Sequence, residues 1–163
     1  MSTTGPVKRV TLWVRNAEAS LAVYRDALGL SILEDKQLHG PAIARMVGLE
    51  QASLRILHLG PPGATHGWVG LYEISRTTPQ PMAALPAPEG FPRYGQSTVV
   101  ITTDDMVGIL PKLRKTIGVT LLTEMTEYIK ESGTDAMPAG RYSEILFFDP
   151  DGISISLMGY APF

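Results

Sequence analysis

The side chains that could carry chemistry in this 163-residue chain are few in kind. There is no cysteine, which excludes thiolate nucleophiles, thiolate metal ligands, iron–sulfur clusters and disulfides together. A metal would have to be held by His, carboxylate or water. The three histidines, His39, His58 and His66, show neither i,i+4 pairing nor an H-E-x-x-H arrangement, so local spacing makes none of them a ligand or a base. His39 and His66 read as loop residues and His58 as a strand residue. Asp149 and Asp151 belong to Asp-Pro-Asp-Gly and read first as turn formers. No Ser-His-Asp spacing, nucleophile elbow, phosphate-binding loop or dinucleotide fingerprint is present. The seven methionines are scattered, as core residues are.

The balance of residues points to small neutral partners. Apolar residues make up 44%, charged residues 18%, and the net charge is -2, without the basic excess of a nucleic-acid binder or the bias of a disordered tail. A chain of this length buries enough surface for one domain with a real core. No window approaches the run of about 20 apolar residues that a membrane span needs, and the expected location is cytoplasmic.

Any reactive group must be placed by the elements around it. KRVTLWVR (8–15) alternates in the strand period, with Val10, Leu12 and Val14 on one face and Arg9, Thr11, Trp13 and Arg15 on the other. Asn16 then fits a helix N-cap, Ala17, Leu21, Tyr24 and Leu28 recur at helical spacing, and Gly29 stands where a C-terminal glycine belongs, which predicts a helix over 17–28. A strand near 30–37, a helical turn in GPAIARMVG and strands over 52–59 and 67–74 complete a βαβββ module. The proline-rich stretch 76–95 has neither period and reads as a linker. The second half repeats the first. Asp105, Met106, Leu110, Leu113, Ile117 and Gly118 match the helix residues of the first half at an offset of 89. Strands are expected over 97–103 and near 119–127, 143–149 and 153–159, with Gly108 and Pro111 kinking the second helix or delaying its start. The fold class is therefore α+β, one domain of two tandem modules, about 8–75 and 96–160.

Three stretches, VTLWVRNAEASLAVYRDALGLSIL (10–33), TVVITTDDMVGILPKLRKTIGV (98–119) and RYSEILFFDPDGISISLM (141–158), together resemble the vicinal oxygen chelate superfamily, the glyoxalase/bleomycin-resistance/extradiol-dioxygenase group. The resemblance implies that the two modules pair so that their mixed sheets form an open cup. It also implies a divalent metal held by one residue from the first and one from the last strand of each module. Those positions correspond to Arg9 and Glu73, and to Thr98 and Ser156, with Ser97 the alternative to Thr98. Only Glu73 is a competent ligand, and Arg9 places a fixed positive charge where the cation would sit, so the expected cofactor is none. A divalent metal is the alternative, through Gln96 or His58 turned inward beside Glu73.

Two readings of Arg9 and Glu73 stand side by side: a pair that binds a ligand oxygen and carries catalysis, or a plain salt bridge. Strand parity adds Thr11 and Trp13 to the face of Arg9, Val69 and Leu71 to that of Glu73, and Ser154 and Met158 to that of Ser156. Such a wall suits a small hydrophobic, aromatic or carbonyl-bearing molecule. The resemblance implies either a metal-free binding protein, or a metal-independent or divergent metal-dependent lyase, isomerase or dioxygenase. The expected partner is a small-molecule ligand, with no nucleic acid and no membrane. A homodimer is also expected, with Met82, Leu85 and Phe91 available for the contact.

Overall fold

Alternation over RVTLWV buries Leu12 and Val14 and leaves Arg9 and Trp13 exposed, the pattern of a strand with one covered face. In the computed structural model, which describes residues 4–75 and 92–163, this segment is β1, Arg9–Val14. The chain divides into two units, Met1–Met82 and Ala83–Phe163. The first continues with α1 (Ala17–Leu21), a π-helical segment (Ala22–Ala27), β2 (Ser31–His39), the short α2 (Pro41–Met46), β3 (Ser53–Gly60) and β4 (Trp68–Ser75). Its sheet runs β1-β4-β3-β2, with β1 parallel to β4 and the other neighbours antiparallel.

The predicted helix over 17–28 forms, but changes gauge halfway. Asn16 accepts from the Ala19 amide at 3.0 Å and starts an α-helical turn. Further on the Leu28 amide reaches back five residues to the Val23 carbonyl, at 2.9 Å, which is the π pattern. Ala17, Leu21, Val23, Tyr24 and Ala27 are buried, so the helix covers one face of the sheet with these residues. On the opposite face Leu54, Ile56 and Tyr72 pack with Leu38, Ile74 and Ile43 of α2.

The second unit repeats the plan with β5 (Thr98–Thr103), α3 (Met106–Lys115), β6 (Thr120–Leu121), β7 (Thr126–Lys130), β8 (Gly140–Phe148) and β9 (Ser154–Ala161). Its order is β5-β9-β8-β6, with β7 also on β8 and β5 parallel to β9. Asp105 accepts from the Gly108 amide at 2.9 Å, the same third-residue contact that Asn16 makes. Gly29 and Gly118, 89 residues apart, close the two helical segments with φ of 79° and 85°, a backbone region that glycine enters without a Cβ clash. Both units are thus βαβββ modules.

Three expectations need correction. The second helix is not delayed: it starts directly after its cap, at Met106, with Pro111 inside it. The carbonyl that Pro111 cannot engage belongs to Val107, a residue on the exposed side of the helix. The single strand near 119–127 is two short strands, because the Thr123 hydroxyl accepts from the Leu146 amide at 3.0 Å and replaces a ladder bond between them. β8 begins at Gly140 rather than 143, ahead of the apolar run, carried by its pairing with β7 and β9. The linker residues 76–91, including Met82, Leu85 and Phe91, lie outside the described residues, and 92–97 are irregular. Among the described residues no helix is long and apolar enough to cross a membrane.

The matching caps yield a direct test. Asn16→Ala and Asp105→Ala should each lower unfolding stability by about 1 kcal/mol in urea titrations. A neutral result for both would remove the caps as determinants of the repeat.

Candidate functional site

Which side chains can act together is decided by the parallel pairing of β1 with β4. Arg9 lies opposite Trp68, Thr11 opposite Gly70, Trp13 opposite Tyr72 and Val14 opposite Glu73. Paired residues share a face, so Arg9, Thr11 and Trp13 stand with Trp68, Gly70 and Tyr72. Glu73 is on the other face, beside Val14, and its Oε2 accepts from the Ala17 amide at 2.8 Å. The expected Arg9–Glu73 pair is therefore absent. Glu73 holds the first turn of α1, where a carboxylate also meets the positive end of the helix dipole. Leu71, 0% exposed, shares the covered face and lines no open surface.

Three side chains close over Gly70. A Cβ built there would lie 3.0 Å from the Tyr72 ring, 3.4 Å from Arg9 Cδ and 3.5 Å from His58 Cδ2. His58 comes from β3, opposite Gly70, so the strand assignment holds and the ring turns to the face of Arg9. His39 ends β2 instead of lying in a loop, and His66 is exposed in the turn before β4. The Arg9 guanidinium sits 5.7 Å from the Tyr72 ring centre, and Trp13 meets the same ring edge-on at 5.4 Å. Trp68 lies 5.2 Å from the His58 ring. Trp13 remains 54% exposed, whereas His58 and Tyr72 are each 6% exposed.

His58 is the chemically distinctive member. Burial pushes its imidazole below the ordinary 6.5, Arg9 adds to that, and Glu34 opposes it. The Lys36 ammonium, ahead of His58, holds the Glu34 carboxyl below its usual range. Glu34 is thus ionised, and the neutral tautomer that fits donates Nδ1–H to Glu34 Oε2 across 2.7 Å. Nε2 is left as an acceptor facing the Tyr72 hydroxyl at 3.4 Å, beyond the usual bond length. Sequence spacing contained no sign of this chain, because Glu34, His58 and Tyr72 sit on three strands. Only the strand parity of His58 hinted at its direction.

In the second module Thr98 pairs with Ser154, Val100 with Ser156 and Thr102 with Met158, so Thr98, Ser154, Ser156 and Met158 share one face as parity required. The Thr98 and Ser154 hydroxyls bond each other at 2.9 Å, and the Ser156 hydroxyl donates to Glu144 at 2.5 Å. Glu144 lies within the strand expected over 143–149, but its contact with Ser156 depends on the register of β8 against β9, which no local spacing carries. A cavity of about 760 Å³ also opens in this module, lined among others by Asp104, Asp105, Met106, Glu127, Arg141 and Gly159, and it contains none of the expected site residues.

The two registers also correct the metal positions. Arg9 pairs with Trp68 as Thr98 pairs with Ser154, so the counterpart of Ser156 in the first module is Gly70 and not Glu73. The equivalent set is Arg9, Gly70, Thr98 and Ser156: a guanidinium, no side chain and two hydroxyls that already have partners. These residues do not fit a divalent ion. His58 does turn toward Arg9, but Glu73, its supposed co-ligand, is on the other face. Gln96 precedes β5 and accepts from the Arg93 amide at 3.3 Å. Among the described residues no group of three or more His, Asp or Glu is placed to hold a metal.

Over residues 7–157 the sequence matches the family described as Glyoxalase/Bleomycin resistance protein/Dioxygenase superfamily. Similar solved structures include a glyoxalase family protein from Bacillus cereus, 20% identical over 98% of both chains with a TM-score of 0.73. A trypanothione-dependent glyoxalase I from Leishmania major is 18% identical over 96% of this chain and 87% of that one, with a TM-score of 0.54. An antibiotic binding protein from a Streptomyces species is 20% identical over 99% of this chain and 100% of that one, with a TM-score of 0.50. At these identities the likeness is one of fold. Among curated proteins none matches the sequence.

Two tests follow from the geometry. Glu73→Ala should lower stability by about 1 to 3 kcal/mol, the consequence of leaving the buried Ala17 amide without its acceptor, with Glu73→Gln milder. Unchanged stability in both would restore Glu73 as a candidate for another role. NMR titration of His58 should give a pKa below 6.5. The folded ring then binds its proton less readily than the unfolded chain, so stability is fully present above pH 6.5 and declines as pH falls from there to the folded value. His58→Gln should abolish that part of the pH dependence, and a His58 pKa above 6.5 would refute it.

Proposed function

Because the chain belongs to the glyoxalase/bleomycin resistance protein/dioxygenase superfamily, we propose that it binds a small aromatic molecule bearing an anionic or carbonyl oxygen, on the Arg9 face of its first module and without a metal. One observation carries the reading: Trp13, 54% exposed, stands edge-on to Tyr72 with the Arg9 guanidinium against the same ring. A large aromatic left open beside a cation offers a stacking surface and a charge-assisted hydrogen bond for one ligand. Among the described residues Arg9 has no ion-pair partner, which leaves its donors for an incoming oxygen.

The Streptomyces relative, described as binding an antibiotic, and the Leishmania glyoxalase I show that this fold accompanies both binding and catalysis. Binding is the reading that the Arg9 face favours. The absent ligand set at Arg9, Gly70, Thr98 and Ser156 supports metal independence, and the fixed charge of Arg9 favours anions over cationic drugs. The same reading has the protein acting in the cytoplasm, as a chain without cysteine can, and as a homodimer.

Quenching of tryptophan fluorescence tests this with benzoate, benzyl alcohol and benzylamine as anionic, neutral and cationic probes. Benzoate should bind tightest and benzylamine weakest. Arg9→Met should weaken benzoate by about 10- to 100-fold and erase its advantage over benzyl alcohol. Trp13→Ala should weaken both by roughly tenfold. A chelator should leave every affinity unchanged. Preference for the amine, or binding that disappears on chelation, would overturn the proposal.

A further inference from the structure

We infer that His58, held by Glu34 and set beside Tyr72 and Arg9 over Gly70, is the general base of a metal-free proton-transfer activity toward aromatic oxo acids, an inference that rests on the binding reading above. One nitrogen of the His58 ring lacks a close partner. His58 is 6% exposed, and buried polar atoms in native proteins nearly always have a hydrogen-bond partner. Its Nδ1 meets that rule at 2.7 Å to Glu34, but Nε2 has only the Tyr72 hydroxyl at 3.4 Å. The acceptor lone pair is therefore oriented by a tight bond behind it and loosely engaged in front, the arrangement a general base requires.

The charged groups facing the ring act in opposite directions. Glu34 and Lys36 on β2 and Arg9 on β1 surround it, with the Tyr72 hydroxyl on β4. Burial and Arg9 keep the imidazole neutral near pH 7, while the Glu34 carboxylate stabilises the imidazolium once a proton arrives. Gly70 matters sterically: a Cβ there would come within 3.5 Å of Arg9, His58 and Tyr72 together, so its absence lets the three converge.

The chemistry balances without a co-reactant. A ligand whose carboxylate rests on Arg9 and whose ring stacks on Trp13 brings the carbon next to its carbonyl toward His58. Nε2 takes a proton from that carbon, and the C–H electron pair forms a carbon–carbon double bond as the carbonyl becomes an enolate oxygen. Arg9 and the Tyr72 hydroxyl are the donors available to that oxygen. The imidazolium exchanges its proton with solvent and returns one to the carbon, restoring the carbonyl. The net result is enolisation or hydrogen exchange, with nothing oxidised or reduced.

The probe is benzylpyruvate, which has a carboxylate, an aromatic ring and an exchangeable methylene. Deuterium incorporation at that methylene is followed by NMR in deuterated buffer, and binding is measured in parallel by fluorescence quenching. The parent protein should accelerate exchange over buffer, with the rate falling as pH passes down through the His58 pKa, which burial places below 6.5. His58→Gln should lose about 100-fold or more of the acceleration while binding within a few-fold of the parent. Tyr72→Phe and Glu34→Gln should be intermediate and serve if His58→Gln fails to fold; Glu34→Gln, a positioning change, should also shift the pH profile. Binding without accelerated exchange in the parent overturns the inference and leaves the binding reading intact. Exchange that is unaffected in all three variants also overturns it. Absence of both binding and exchange overturns the two together.

Discussion

The parallel pairing of the first strand of each module with its last is the constraint on which everything else here rests. In a sheet, a side chain's face is settled by its partner across the ladder, and a shift of one residue exchanges the two faces completely. Arg9 opposite Trp68 places the guanidinium with Gly70 and Tyr72 and sends Glu73 to the helix. Had Glu73 been one residue earlier or later, its carboxylate would have stood on the face of Arg9. The same ladder in the second module sets Thr98 with Ser154 and Ser156.

Helix and sheet faces then take different chemistry. On the covered side Glu73 bonds the first amide of α1, and Arg55 joins Glu18 of that helix to Asp35 of β2 at 2.7 and 2.8 Å. Such partly exposed pairs contribute little stability individually, but they orient the helix on the sheet. On the open side Arg9, Trp13, His58, Trp68 and Tyr72 gather around Gly70 with the Thr11 hydroxyl and the Glu34 carboxylate, and further along the same face Leu54, Ile56 and Ile74 pack with α2. A neutral imidazole is stable there because burial disfavours its charged form. An arginine beside it, always protonated, serves oxygen ligands and repels metal cations.

The two modules share backbone and differ in side chains. Their helix caps and closing glycines recur at one offset, and in both the first strand runs parallel to the last. The residues that could react do not follow this repeat. Where the first module places Arg9, the second has Thr98, and where the first has Gly70, the second has Ser156 bonded to Glu144. The first module therefore presents a cation and aromatic rings, and the second a network of hydroxyls.

Much of this was legible in the residues alone. Alternation over 8–15, the caps at Asn16 and Asp105, and the repeat between the two helices determined the modules, because these signals are local and depend on neighbours within a few residues. They also determined that Thr11 and Trp13 accompany Arg9, and that Thr98, Ser154, Ser156 and Met158 share a face, since parity within a strand is local too. The tertiary structure alone decided what faced Arg9. Register between strands separated by more than fifty residues follows from packing against α1 and from how the chain returns, and no spacing in the sequence encodes it. That is why Glu73 and Leu71 were placed on the wrong side, and why Glu34, His58 and Tyr72, one from each of three strands, became a connected group only when the sheet was assembled.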